Sequence, residues 1–584
     1  MTTRWGRALD ADAPLPEHPR PQLHRDSWRS LNGRWQYAVT GNDRRPASYD
    51  DHITVPFSPE APLSGLDRQL QPRERAWYAR TFATPPSGSG DRVLLHFGAV
   101  DQTCTVWVDG HEVGGHTGGY LPFTLDVTEA LDPAPAGGEH RLEVRVRDVS
   151  DTSYHARGKQ KLQRGNIWYT AQSGLWQTVW LEWVPREHVQ RLELVPDLDA
   201  GAFDVTVHAA SARGTTATVV LRSGDLEVAR AEVTPGATQR VAPSSVRPWS
   251  PEDPHLYDVE VTLGEDHVTS HAGLRSTRVG VDARGHRRLL LNGEPYAHVG
   301  VLDQGYWPDG LLTPPSDEAM VHDITAMKDL GFTVLRKHAK VEPARWYAHC
   351  DRIGMLVWQD VVNGGTTYRG ITTRRPASRL PPVPDRLYAV YGRRHRAGRR
   401  EYRAEVEATL AHLGGFASVV VWTPFNEGWG QFSSRAVARA VKRLDPTRLV
   451  LPVSGWVDHG GGDLRGHHRY GKPFTMPALP GRRAVVLSEY GGFSHRVEDH
   501  EWGPRMFGYR KFKVRKRLQL AFRTLHDGLT KEAERGLSAT VYTQLSDVED
   551  ELNGLYTYDR EVLKLDADVV REVTAGLRAA MTRA

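Results

Sequence analysis

The chain has 584 residues, with 75 Lys and Arg against 71 Asp and Glu and a formal net charge of +4. A length of this order predicts about three to five domains, and so even a charge balance gives no footing for a nucleic-acid partner. No apolar run reaches the ~18 residues of a membrane span, and the two cysteines, Cys104 and Cys350, suggest neither a disulfide framework nor a metal-ligand pair. In chain order, residues 1–20 are rich in Pro, Asp and Arg without an apolar stretch, so no signal peptide is expected and a cytoplasmic location is the default. The first third then reads as all-β. Residues 93–97 are a short apolar run, and residues 103–113 alternate around Asp109-Gly110, whose tolerance of positive φ marks a hairpin. Residues 141–147 alternate apolar and charged side chains, and residues 175–183 are rich in strand formers. This spacing predicts a jelly roll or sandwich over residues 1–186. Residues 187–278 stay strand-like with fewer Trp and fit one immunoglobulin-like β-sandwich, including the Pro-rich corner Trp249 to Pro254.

From residue 279 to 584 the pattern alternates strand and helix. Strand-like runs occur at 299–301, 333–336, 355–359, 419–422, 449–453, 484–487 and 539–543, and helices are expected at 317–330, 401–413 and 433–444. Seven or eight such units in about 300 residues predict a (β/α)8 TIM barrel. A long Gly-, Arg- and Pro-rich connection, residues 363–400, ends in a basic cluster from Arg393 to Arg400 and is read either as a lid or as a solvated insertion. The acidic run from Asp547 to Glu551 is expected to be a solvated loop, and the basic stretch Lys511 to Arg517 the solvated face of a helix. His467 and His468 have no third ligand at fixed spacing, so no metal and no organic cofactor are expected.

The chemistry is carried by two strand ends. Residues 419–430 run from Val-Val-Val-Trp into Asn426-Glu427-Gly428, and residues 484–492 from Ala-Val-Val-Leu into Glu489 and then Gly491-Gly492. Barrel enzymes place their reacting groups at strand C-termini. Two carboxyl groups facing each other at about 5–5.5 Å can cleave a glycosidic bond with retention, one as acid and then base, the other as nucleophile. Their separation of 62 positions (489 − 427) leaves room for two intervening strand–helix units, which sets the two acids across the barrel mouth.

These motifs resemble glycoside hydrolase family 2, a family that includes β-galactosidases, β-glucuronidases and β-mannosidases. The likeness extends to Trp28 to Tyr37, Val106 to Gly110, Ser173 to Glu182, Leu291 to Pro295 and Val541 to Tyr558. It implies a retaining exo-glycosidase acting on a carbohydrate substrate, β-galactosidase-like, with an exo-furanosidase (β-D-galactofuranosidase or α-L-arabinofuranosidase) or a β-glucuronidase as alternatives. A catalytically silent carbohydrate-binding protein is the alternative of another class. Glu427 would be the acid/base and Glu489 the nucleophile. Asn426 would bind the sugar 2-hydroxyl, and Tyr470, expected on a sixth strand, would hydrogen-bond Glu489. Arg336, His338 and Gln544 are further substrate-binding candidates. Trp358, Trp456, Trp422 and Trp307 are ring-stacking candidates. Homo-oligomers are implied as possible partners. The second strand, Arg336-Lys-His-Ala-Lys, departs from the family's Arg-x-Ser-His-Tyr-Pro. No Asn-x-Lys motif of the kind β-glucuronidases use is present, leaving Lys337 or the arginines of 393–400 as substitutes.

Overall fold

The computed structural model describes residues 1–85, 91–131, 138–210, 214–368, 383–478 and 481–583. The N-terminal part is a jelly-roll-like sandwich of two antiparallel sheets. Six strands form one sheet in the order Asp51–Val55, Gly33–Thr40, Arg75–Ala83, Glu139–Arg147, Thr103–Val108, His111–Thr117, and four form the other in the order Trp28–Ser30, Val179–Val184, Arg92–Phe97, Phe123–Asp126. The Asp109-Gly110 turn closes the hairpin with both residues at positive φ, 48° and 84°. Alternation does the rest: Leu142, Val144 and Val146 turn inward on Val106 and Leu95, while Arg141, Arg145 and Arg147 turn outward. A smaller immunoglobulin-like sandwich follows. Its sheets are His188–Asp197, Ala202–Ala210 and Thr238–Val241, facing Leu226–Val233, Ala217–Ser223, Tyr257–Leu263 and Asp266–Ala272.

The C-terminal part is a barrel of eight parallel strands. They are β1 (His298–Asp303), β2 (Val334–Lys337), β3 (Leu356–Asp360), β4 (Val419–Thr423), β5 (Leu449–Val450), β6 (Leu464–Tyr470), β7 (Ala484–Gly491) and β8 (Leu537–Thr543). Ladders join every neighbouring pair except β5 and β6. There Asp463 spans the seam: its N–H donates to Val450 O at 2.9 Å, and Val450 N–H donates to its Oδ2 at 2.9 Å. These strands are apolar along their length because both faces are covered, by helices outside and by packed side chains within. Leu289 and Leu291 of the preceding hairpin plug the lower end against Val334, Leu356 and Ala484. The first long helix, Asp317–Asp329, starts at Ser316, whose hydroxyl accepts from Ala319 N–H, and stops before Gly331 at φ 86°.

Three loop expectations change. The helix expected at 401–413 begins earlier, at Arg396, so half of the basic cluster lies on Arg396–Leu413; residues 369–382 of the long connection lie outside the described residues. Asp547, Glu549, Asp550 and Glu551 are buried rather than solvated: Asp547 pairs with Lys564 at 2.5 Å, and the N-terminal sandwich lies on the others, with Thr170 N–H donating to Glu549 Oε1 at 2.9 Å, Tyr169 OH donating to Glu551, and Arg164 pairing with Asp550 at 3.1 Å. Lys511 lies on a short strand, Arg510–Phe512, and the helix after it starts only at Arg515. Cys104 and Cys350 are both buried and unbridged. Among the described residues no helix is long and apolar enough to cross a membrane.

Candidate active site

Glu427 and Glu489 meet at the upper mouth of the barrel, from the ends of β4 and β7, with β5 and β6 between them. Both are nearly enclosed, at 6% and 5% exposure. Glu427 stands at φ 49°, a left-handed conformation that is strained for a residue with a Cβ, and its N–H is held by Ser454 O at 2.9 Å. Gly428 at φ 77° continues the turn that aims the side chain inward.

Glu489 is gripped at both oxygens. Arg336 Nη1 donates to Oε1 at 2.9 Å, and Tyr470 OH donates to Oε2 at 2.6 Å. Arg336 comes from the end of β2 and is fully buried. Its other N–H groups go to both oxygens of Asp360, at 3.1 and 2.8 Å, to Ser488 O at 3.0 Å and to Asn426 Oδ1 at 2.9 Å. Asp360, at the end of β3, also accepts from His338 Nδ1 at 2.5 Å. Arg336, expected to bind substrate, thus touches Glu489 and Asn426 instead. Asn426 keeps its Nδ2 donors unpartnered. His338 and Asn426 line a small cavity of about 20 Å³ with Asp360, Trp429 and Tyr368.

His468 joins the two carboxyl groups. Its Nδ1 lies 2.7 Å from Glu427 Oε1 and 3.4 Å from Glu489 Oε2, and its Nε2 lies 2.7 Å from Ser454 Oγ. Ser454 donates its hydroxyl proton to Ser488 Oγ at 2.8 Å, so it accepts from His468 Nε2–H. Glu427, His468 and Glu489 each offer an atom within 4.8 Å of the others, the one such grouping with cation-like spacing among the described residues. The short hydrogen bond between imidazole and carboxyl accounts for that spacing.

The two carboxyl groups are pushed apart electrostatically. Burial raises Glu427, and the neighbouring Glu489 charge adds to this, outweighing the lowering by His468. Burial would also raise Glu489, but the charges of His468 and Arg336 dominate and hold it well below the usual carboxylate range.

Of the remaining candidates, Trp456 is half-buried beside the site, edge-on to His468 at 5.6 Å, with its indole N–H unpartnered. Trp358 is a correction: it points into the packed barrel interior and donates to His298 Nδ1 at 3.0 Å, leaving no face for a sugar. Gln544 is another, since its amide accepts from Gln304 at 2.8 Å and donates to Asn553 at 2.9 Å and is spent on holding the loop after β8. Trp422 lies outside the barrel, bonded to Asp445 at 2.7 Å, and Trp307 is packed under Arg560. Asp360, His468, Lys159 and Trp429 were not anticipated. Asp360 obeys the same strand-end rule as Glu427. His468 is two residues from Tyr470 on β6 and shares its inward face by the period of a strand.

Three family models match in succession: the glycosyl hydrolase 2 galactose-binding domain-like model at residues 59–178, glycosyl hydrolases family 2 at 187–279, and the family 2 TIM barrel domain at 315–463. A β-glucuronidase of Paenibacillus borealis is 24% identical over 473 residues, covering 74% of each chain. A β-galactosidase of Aeromonas hydrophila subsp. hydrophila is 27% identical over 483 residues, covering 74% of this chain and 43% of its own. The chain therefore spans less than half the length of that relative. Among solved structures, the β-D-glucuronidase of Dictyoglomus thermophilum superimposes with a TM-score of 0.74 at 17% identity, over 95% of this chain and 98% of that one. A β-galacturonidase of Eisenbergiella tayi gives 0.72 at 18%, over 96% and 98%. With the same three modules in the same order, the chain belongs to glycoside hydrolase family 2.

Proposed function

We propose that the protein is a retaining, exo-acting glycosidase of the β-galactosidase-like type, with Glu427 as acid/base and Glu489 as nucleophile. One observation carries this reading: two buried carboxyl groups have oxygens within 4.8 Å of each other and opposite electrostatic environments. Such closeness suits double displacement, whereas single displacement needs roughly 6.5–9.5 Å to admit a water. Glu427, raised, holds the proton that the leaving oxygen takes. Glu489, lowered, is the anion that attacks the anomeric carbon. Water then attacks the glycosyl-enzyme ester from the face the aglycone left, giving its proton to Glu427. Arg336 and Tyr470 aim the nucleophile without blocking it, and the free Nδ2 of Asn426 is placed to bind the sugar 2-hydroxyl, a contact that strengthens in the transition state. The near-complete enclosure of both acids favours removal of single end residues over cleavage within a chain.

Two of the cations expected to replace the uronate-gripping motif are committed elsewhere. Lys337 pairs with Asp303 at 2.5 Å and Glu342 at 2.7 Å, and Arg393 is buried under backbone carbonyls. A β-galactoside is the first substrate to try, with a hexuronoside beside it. The test is hydrolysis of aryl β-galacto-, gluco-, manno- and glucuronopyranosides, a β-D-galactofuranoside and an α-L-arabinofuranoside, with Glu489→Gln in parallel. Turnover of one glycone that falls by ~10³-fold or more in the variant is expected. Silence of the wild-type protein on every glycone would favour a carbohydrate-binding protein on the same fold.

A further inference from the structure

The strap that the N-terminal sandwich lays over the barrel carries a buried lysine that the mechanism above leaves unused. The strap is tied down beside it: Arg157 and Gly158 N–H both donate to Asn363 O, at 3.0 and 2.9 Å, and Ala156 bridges Gly364, just past β3. Lys159 follows directly. It is 7% exposed. Its Nζ lies 5.4 Å from the ring centre of Tyr169 and 5.8 Å from that of Trp429, two residues after Glu427. Its charge is felt by Glu427, Glu489 and His338.

Of the other cations nearby, the half-buried Lys161 lies over Trp168 at 4.9 Å, and the rest have hydrogen-bonding or ionic partners. Arg157 donates to Gly365 O and lies over Tyr368 at 4.8 Å, and Arg164 pairs with Glu549 and Asp550. Lys340 donates to Gly305 O at 2.7 Å and pairs with Glu342 at 2.8 Å. The Lys159 ammonium makes no hydrogen bond and no ion pair among the described residues, while its backbone carbonyl accepts from Tyr169 N–H at 3.0 Å. A nearly enclosed ammonium beside two aromatic rings, with no acceptor from the described residues, is a donor available to a bound ligand.

We propose that Lys159 is a glycone-reading residue supplied to the barrel site by the N-terminal sandwich, donating to a substituent oxygen of the sugar bound over Glu427 and Glu489. The group it takes is an acceptor oxygen, a hydroxyl in a neutral glycoside or a carboxylate in a hexuronoside. The inference rests on the glycosidase reading. A lysine that only balanced the charge of Glu489 and Asp360 would act on every glycoside alike, through the proton affinities of the carboxyl groups. One that reads the glycone discriminates between sugars.

The experiment compares Lys159→Met with the full-length wild-type protein on hexoside, hexuronoside and furanoside substrates sharing one aryl aglycone, with a pH profile on the best of them. The preferred glycone is expected to lose roughly ten- to hundredfold in kcat/KM, mostly through KM, and the others much less. A loss concentrated on the hexuronoside identifies a carboxylate partner, and one concentrated on a neutral sugar a hydroxyl. An equal loss on every glycone with a displaced pH profile, or no loss at all, overturns the inference. Should Lys159→Met fail to fold, Lys159→Arg carries the same comparison: a changed glycone ranking supports the proposal and an unchanged one overturns it. A wild-type protein silent on the whole panel sinks the glycosidase reading itself, and this inference with it.

Discussion

At His468 one imidazole bridges two carboxyl groups. The Ser454–Ser488 chain fixes a hydrogen on Nε2, and Nδ1 faces Glu427. Glu489 and the edge of Trp456 also face the imidazole, and Tyr470 lies beyond Glu489. His468 lowers both Glu427 and Glu489, so its removal raises both. For His468→Asn the acid limb of the kcat/KM profile, where the nucleophile becomes protonated, and the basic limb, where the acid loses its proton, should both move to higher pH. If neither limb moves, His468 is a packing residue. At this scale the two acids and Tyr470 were legible, because each follows from a strand end or from strand alternation. The work of Arg336 was not: its partners Asp360, Asn426 and Glu489 come from three other strands, and no spacing along the chain announces them.

At the scale of elements, barrel strands and helices were legible because their periods are written in neighbouring residues. Loops were less so. The acidic run before Asn553 read as solvated because its partners, Arg164, Tyr169 and Thr170, lie almost 400 residues earlier (|i−j| = 379 for Thr170 and Glu549). The end of the long connection misled for the same reason. Arg393 looked like a surface cation, yet it is buried, donating to Gly430 O at 2.8 Å, Tyr154 O at 3.2 Å and Gly398 O at 3.3 Å, and to Asn363. It clamps the turn after Glu427 to the start of the helix Arg396–Leu413 and to the N-terminal sandwich. Arg393→Met leaves those carbonyls without a donor and should cost about 2–3 kcal/mol, read as a lower urea midpoint. An unchanged midpoint would mean the clamp contributes little.

Across the whole molecule, the sandwiches do more than flank the barrel. Arg25 holds Glu182 of the first sandwich at 3.0 Å and Asp266 of the second at 2.8 Å in one buried cluster. Arg275, fully buried, donates to Ala417 O at 2.9 Å and Val419 O at 2.7 Å, tying the second sandwich to the base of β4. Through such joints the N-terminal sandwich is held where residues 156–170 can cover the mouth and add Lys159 and Trp168 to its rim; Trp168 lies 5.1 Å from Trp429. The order of modules could be read along the chain, but this reach of the first over the third could not, since it depends on how they pack. The central claim is that one carboxylate, Glu489, bonds covalently to the sugar. It is tested most directly by incubating the protein with an activated 2-deoxy-2-fluoro glycoside of the preferred glycone and mapping the adduct by peptide mass spectrometry. The account predicts one added fluorosugar, carried by Glu489. An adduct on another residue, or steady turnover of the true substrate with inverted anomeric configuration and no adduct, would contradict it.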